Sequence, residues 1–260
     1  MATFDASAAQ RLGRAYATPH VVAQRARTRQ AVAPRPGQRI LDVGCGPGLL
    51  ACELAAAVGP AGTVIAIDTS EQMLGAAAQR ATQDGVVEWT RFARADATAL
   101  PVADGCLHAV TGTQVYEYVP DLARAFAEIA RVLRPGGRVA IVDTDWDSCV
   151  WHASDRRRTR RVLEAWRGHF THPDLPARLP ALLAGADLRL ESLVALPLVD
   201  ISYDADAFSR WMLGTVAEFV GARGGLTPDE AHAWADDVRA QQTRGGYFFS
   251  VCRYLALARR

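Results

Sequence analysis

The sequence predicts an α/β fold, a doubly wound and mostly parallel sheet of seven strands with N-terminal helices and a helical insertion before the last strand. Three observations predict it. Short apolar runs alternate with segments of helical period from residue 38 onward. The first run, 38–43, ends in Gly44-Cys45-Gly46-Pro47-Gly48, and helical periodicity resumes at Leu49. The second, 63–67, ends at Asp68 with another helix signal behind it. Strand, turn and helix repeating at this spacing make parallel βαβ units.

Taken in order, an Arg- and Ala-rich helical stretch over about 8–32 is broken near Thr18-Pro19 and stopped by Pro34-Arg35-Pro36-Gly37. After the second strand, Thr69 or Ser70 caps a helix reaching about residue 82. A third strand is expected over 87–93 and a fourth over 108–113. A helix over 121–133 follows, with Leu122, Phe126, Ile129 and Leu133 on one face, then a fifth strand over 139–143. Helices over 154–169 and 175–184 lead to a sixth strand over 188–198. The helix over 204–220 carries Phe208, Trp211, Met212, Val216, Phe219 and Val220 at steps of three and four; a second runs over 227–242, and the last strand over 248–258. The expected organisation is an N-terminal helical cap (1–36), a core (37–203 and 244–260) and a helical lid (204–243) inserted into it.

Composition narrows the function. The 260 residues, half hydrophobic and 22% charged, suit one globular core. All 29 basic residues are arginine, which removes Schiff-base lysine chemistry and a lysine-bearing phosphate loop. With 28 acids the net charge is +1, which argues against nucleic acid or an anionic membrane and for a small-molecule partner. Five scattered cysteines without a C-x-x-C pair suit a reducing cytoplasm, and no apolar run is long enough for export or a membrane span. His169 and His172 lack a neighbouring acid or third ligand, so no metal site is expected. The run Arg156–Arg161, interrupted by Thr159, reads as a solvated helix face.

The densest chemical signal is the glycine loop preceded by Asp42 and followed, twenty residues past Gly48, by Asp68. Glycines let a ligand approach the backbone, and the helix start behind them favours a negative group such as a carboxylate. An acid at the end of the second strand can accept both hydroxyls of a ribose. The glycines fall as G-x-G-x-G, not as the dinucleotide G-x-G-x-x-G, and Asp42 would repel a pyrophosphate. It would attract an α-amino group, so the expected ligand is a nucleoside carrying an ammonium. A nicotinamide-dependent oxidoreductase is disfavoured on the same spacing. Cys45 fits the loop as a small apolar side chain, not a nucleophile.

With these motifs the chain resembles class I S-adenosylmethionine-dependent methyltransferases, close to the ubiquinone/menaquinone-biosynthesis type, over about residues 35–145. ILDVGCGPG resembles the first family motif, AIDTSEQML the second, ARADATALP the third and LRPGGRVAIVD the later turn and strand. The resemblance implies S-adenosylmethionine as cofactor. It places Asp68 on the ribose, Thr69 beside it, Gly44, Cys45, Gly46 and Gly48 at the methionine moiety, and Met73 on the adenine. Asp96 and Ala97 would meet the adenine edge, and Thr113 and Gln114 would line the site after the fourth strand.

The acceptor side carries weaker signals. Tyr116 and Tyr118 stand where many relatives have a histidine at the second position; they form an aromatic wall or pack the next helix. The segment 143–152 concentrates Asp145, Asp147, Trp146, Trp151 and His152 beyond the fifth strand. It reads either as a substrate wall, with Asp145, Asp147 or His152 as base, or as an acid-capped helix entry with both tryptophans in the core. Tyr16 and His20, with the helices over 204–243, are expected to close over the cofactor beside the acceptor, and Phe208, Trp211 and Met212 either face the acceptor or, at helical spacing, are core. The expected reaction is methyl transfer to an oxygen, nitrogen, sulfur or carbon of a small molecule, such as a secondary metabolite or quinone-like aromatic. The alternative is a protein of this fold that binds the donor or its demethylated product and catalyses a non-methylating reaction.

Overall fold

A computed structural model describes residues 13 and 15–260. Helix α1 (Pro19–Val32) begins with a proline in its first turn, where the missing N–H costs nothing, and ends at left-handed Ala33. The break expected near Thr18-Pro19 is present; the part of the predicted helix before residue 13 lies outside the described residues.

Seven strands follow: β1 (Arg39–Val43), β2 (Thr63–Asp68), β3 (Thr90–Arg94), β4 (Leu107–Thr113), β5 (Leu133–Trp151), β6 (Arg189–Asp200) and β7 (Phe249–Arg259). The helices between them are α2 (Leu49–Val58), α3 (Glu71–Gln83), α4 (Leu122–Val132), α5 (Arg156–Arg167), α6 (Leu175–Gly185), α7 (Phe208–Ala222) and α8 (Pro228–Thr243). The sheet order is β3-β2-β1-β4-β5-β7-β6. β1 to β5 pair in parallel, and β7 slots antiparallel between β5 and β6. The chain winds away from β1 in both directions, so a crevice opens between the carboxyl ends of β1 and β4.

One face of the sheet packs on α4 and α6 through Leu122, Phe126, Ile129, Leu175 and Leu179. The other packs on α2 and α3 through Leu50, Leu54, Ala55, Ala77 and Ala81. A second apolar core lies where the outer halves of β5 and β7 meet α5, α7 and α8, built on Trp146, Trp151, Trp166, Phe208, Trp234 and Phe249.

Two expectations are corrected. The third strand starts at Thr90, because Val87–Trp89 forms a 3-10 turn and the Trp89 indole donates to the Ala55 carbonyl at 2.7 Å. The fifth strand does not stop at Asp143. It runs to Trp151 alongside β7 through a bulge between Asp145 and Val150, where the Ser148 hydroxyl accepts the Cys252 N–H at 2.8 Å. A partner strand absent from local sequence supplies the ladder, so local pattern ended the strand too early. The segment 143–151 is thus strand and not a helix entry, while the reading that puts Trp146 and Trp151 in the core holds.

Trp234 is fully buried and meets Trp151 edge to face at 5.3 Å. Trp234→Ala is expected to cost ~3–5 kcal/mol of stability, read as a lowered denaturant midpoint.

Candidate functional site

The crevice between β1 and β4 narrows to a cavity of about 40 Å³, well below the ~300–1,000 Å³ of ordinary ligand pockets. Its floor is Asp42, Gly44, Cys45 and Gly46 with Thr113 and Gln114. Its roof is Tyr16, Val21, Gln24 and Arg25 from the N-terminal segment, and Arg253 of β7 closes one side.

Asp42 is 2% exposed and accepts the Thr111 hydroxyl at 2.7 Å. Burial pushes its carboxyl up to about 7 against that hydrogen bond, and the nearby Asp68 and Glu53 charges push the same way. A cation placed beside it would restore its ionised form.

The three glycines differ in what holds them. All have left-handed backbone. A Cβ on Gly44 would collide with Val115, and one on Gly48 would lie 2.9 Å from the Ala77 Cα of α3. Gly46 meets only the Tyr16 ring, at 4.0 Å, so it alone of the three leaves its missing side chain to the cavity.

Asp68 is turned onto this loop: Oδ2 accepts the Gly46 N–H and Oδ1 the Ser70 N–H, each at 2.9 Å. A carboxylate offers about four acceptor positions, so two remain for a pair of hydroxyls. Ser70 caps α3, and Met73 in its first turn is buried while Thr69 is exposed. Asp96, at the end of β3, accepts the Thr98 hydroxyl at 2.6 Å and N–H at 2.8 Å, which hold its carboxyl below its ordinary value; Ala97 beside it is buried. These residues line one direction along the carboxyl ends of β1, β2 and β3. They fit an adenosyl group with an attached amino acid.

Gln114 has φ 57°, a left-handed conformation that a non-glycine residue adopts at a cost. It is held there by its N–H and side-chain amide, both donating to the Val142 carbonyl, and by its Oε1, which accepts the Thr144 hydroxyl at 2.6 Å.

The roof is tied down by charge. Arg25 donates to Glu53 of α2 at 3.0 Å and to the Tyr16 carbonyl at 2.6 Å, and Arg29 donates to Glu53 at 2.6 Å. Burial pushes the Tyr16 hydroxyl up to about 12, with Arg253 acting against it, so it stays protonated near neutral pH.

Other expected residues lie elsewhere. Tyr116 is fully buried against Phe126, under the sheet and not in a wall. Tyr118 is 44% exposed and meets the rings of His169 and Phe170. Trp146 stacks on Phe170 and Trp151 packs on Phe249, both inside the second core, because β5 continues there as a strand. Asp145 and His152 do not line the cavity: Asp145 accepts the Asp147 N–H, and the exposed His152 lies beside Gly246. His20 instead reaches the end of β6, with Nε2 3.0 Å from the Val199 carbonyl and 3.3 Å from Asp200. Phe208 is buried with its ring 4.8 Å from the Arg253 guanidinium, Met212 packs on the second core, and Trp211 is half-buried on α7.

Sequence reasoning missed Gln24, Arg25 and Arg253. The buried face of α1 reads Val21, Gln24, Arg25, Thr28, Val32, so no apolar stripe marks it. The available signal for Arg253 was a lone cation inside the otherwise uncharged run 247–258.

Residues 41–141 match the family model described as Methyltransferase domain. The chain is 32% identical over 229 residues to an uncharacterized 37.1 kDa protein in transposon TN4556 of Streptomyces fradiae, covering 88% of this chain and 64% of that protein. It is 41% identical over 114 residues to the 2-phytyl-1,4-naphtoquinone methyltransferase of Synechococcus elongatus, covering 43% and 48%. The chain thus spans about half to two thirds of the length of these relatives. Among solved structures, YcgJ of Bacillus subtilis superposes with TM-score 0.64 at 20% identity, covering 92% of this chain and 98% of that one. The geranyl diphosphate C-methyltransferase of Streptomyces coelicolor superposes with TM-score 0.60 at 18% identity, covering 92% and 80%. The fold is the one these solved structures share, a methyltransferase among them, and the family-model match is confined to residues 41–141.

The division among the glycines is testable. Gly46→Ala carries only left-handed strain, ~1–2 kcal/mol, whereas Gly48→Ala must also displace α3. The unfolding midpoint should therefore fall further for Gly48→Ala; equal midpoints would refute the distinction.

Proposed function

We propose that this chain is a cytoplasmic enzyme that binds S-adenosylmethionine and transfers its methyl group to an oxygen, nitrogen, sulfur or carbon of a small molecule. The observation that carries this reading is the buried Asp42 lining one cavity with the glycine loop onto which Asp68 is folded. When bound, the cofactor supplies a methyl group already activated on a positively charged sulfur.

The chain's residues bind and align. Asp42 receives the ammonium of the methionine moiety, Gly46 admits its backbone-close approach, and Asp68 takes the ribose hydroxyls. Met73 lies under the adenine and Asp96 accepts its amino group. Thr113 and Gln114 stand at the methyl end, and Gln114 stays fixed by its three hydrogen bonds. Holding acceptor and methyl in line can lower the barrier by ~7–11 kcal/mol without a base. Tyr16, Val21, Gln24 and Arg25 form a roof that must lift to admit a ligand and then exclude water, given so small a cavity. In this reading residues 1–36 are a cap and 204–243 a lid on the core formed by 37–203 and 244–260. No helix among the described residues is long and apolar enough to cross a membrane. The near-neutral charge and the paired, solvated arginines of α5, such as Arg161 on Glu230, support a small-molecule acceptor over nucleic acid.

Two measurements test this. S-adenosylmethionine and S-adenosylhomocysteine, each at 100 times Kd, should stabilise the protein by ~2.7 kcal/mol while NAD does not, and labelled methyl should then appear in a small-molecule product. Binding without label transfer would point to a non-methylating reaction on the same fold; no binding would overturn the reading. The second uses pH. An ammonium favours ionised Asp42, whose free carboxyl holds its proton up to about 7. Binding below that pH releases a proton, so S-adenosylhomocysteine affinity should rise with pH, by up to tenfold per unit, and level off above about 7. Asp42→Asn should weaken binding and flatten this part of the profile.

A further inference from the structure

Two arginines are buried among the described residues, and they are held differently. Arg25 pairs with Glu53 at 3.0 Å. Arg253 is 3% exposed and forms no ion pair among the described residues. Its Nε donates to the Thr144 hydroxyl at 3.2 Å and an Nη to the Gln24 side-chain carbonyl at 2.5 Å, both neutral acceptors. The Phe208 ring covers its guanidinium at 4.8 Å. Glu117 and Asp143 are the buried carboxyls whose charge acts on it, and neither makes an ion pair with it. Glu117 is engaged by the Trp146 indole at 2.8 Å and Asp143 by the Val115 N–H at 3.0 Å. Burial pushes both carboxyls above their ordinary values, which weakens them as counter-charges.

A cation withdrawn from water without a direct counter-ion is costly to keep, and this one lines the cavity. Its place in the sheet indicates which ligand it meets. The acids fitted to the donor, Asp42, Asp68 and Asp96, belong to the ends of β1, β2 and β3. Arg253 pairs across from Thr144 on β5, beyond β4 in the opposite direction from β1. Neighbouring strands lie about 4.8 Å apart, so Arg253 stands on the acceptor side of Gln114.

We propose that Arg253 is the specificity-determining residue for the methyl acceptor, and that the acceptor carries a carboxylate which docks on its guanidinium edge in the cavity that Tyr16 roofs. The proposal rests on the methyl-transfer reading. A guanidinium presents its N–H groups as a planar fork, the geometry that a carboxylate fills bidentately; Phe208 covers a face of it, Nε and one Nη each donate one hydrogen to Thr144 and Gln24, and the remaining Nη hydrogens are the ones a carboxylate would take. Thr144 and Gln24 fix the plane, and the Gln24 contact joins it to the roof, so roof and anion site are coupled through one side chain.

The test measures binding to full-length protein saturated with S-adenosylhomocysteine. The probes are acetate, benzoate, phenylacetate and 4-hydroxybenzoate, each paired with its neutral amide. At least one carboxylate should bind about tenfold or more tightly than its amide, and Arg253→Gln should abolish that preference while S-adenosylhomocysteine affinity stays within about twofold. The comparison within wild-type protein stands even if the variant does not fold. Equal binding of acids and amides, or no binding of any acid, overturns the proposal. So does a tenfold loss of S-adenosylhomocysteine affinity in folded Arg253→Gln, which would assign the arginine to the donor. Failure of wild-type protein to bind S-adenosylhomocysteine at all would overturn the methyl-transfer reading instead, and the proposal with it.

Discussion

A carboxyl group withdrawn from water at the end of β1 organises the cleft. Asp42 has one hydroxyl, that of Thr111, as its side-chain partner, and its charge is disfavoured until a cation arrives. Around it the backbone is bent left-handed at Gly44, Gly46, Gly48 and Gln114, which clears space at the point where the sheet reverses its winding. The strain of Gln114 and the desolvation of Asp42 are costs that the two packed faces of the sheet offset. What they leave is a polar floor of Asp42, Gly44, Gly46, Thr113 and Gln114, on which the proposed reading lays the methionine arm of the donor.

The roof follows another logic. α1 buries glutamine, arginine and threonine where a structural helix would bury leucine. Val21 and Val32 anchor it in the two apolar cores, ion pairs to Glu53 hold the stretch between them, and its start is clasped by His20 at the end of β6. Directional polar contacts can break and re-form without disturbing an apolar core, which in the proposed reading lets the stretch between these anchors move to admit a ligand. α7 and α8 are different. They share a tryptophan-rich core with β5, β7 and α5, so their inner faces are part of the folded body.

β7 connects these parts. Its outer half seals the second core through Phe249 and Val251, and its centre carries Arg253 to the cleft. Inserting it antiparallel between β5 and β6 also prolongs β5 to Trp151, which decides between the two readings of Trp146 and Trp151 by placing both in the interior.

The alternating strands and helices, the glycine loop, Asp42 and Asp68 were legible in the sequence because each rests on local chemistry: side-chain period, backbone freedom and charge next to a turn. The seven strands and the insertion before the last one could be read for the same reason. The length of β5, the polar face of α1, the buried place of Tyr116 and the position of Arg253 were not legible, because each depends on what a distant segment packs against it. Arg253 lies 109 residues from Thr144 and 229 from Gln24. A lone arginine in an apolar strand has no fixed meaning until folding removes its water and decides which groups face it, and that was settled only by tertiary structure.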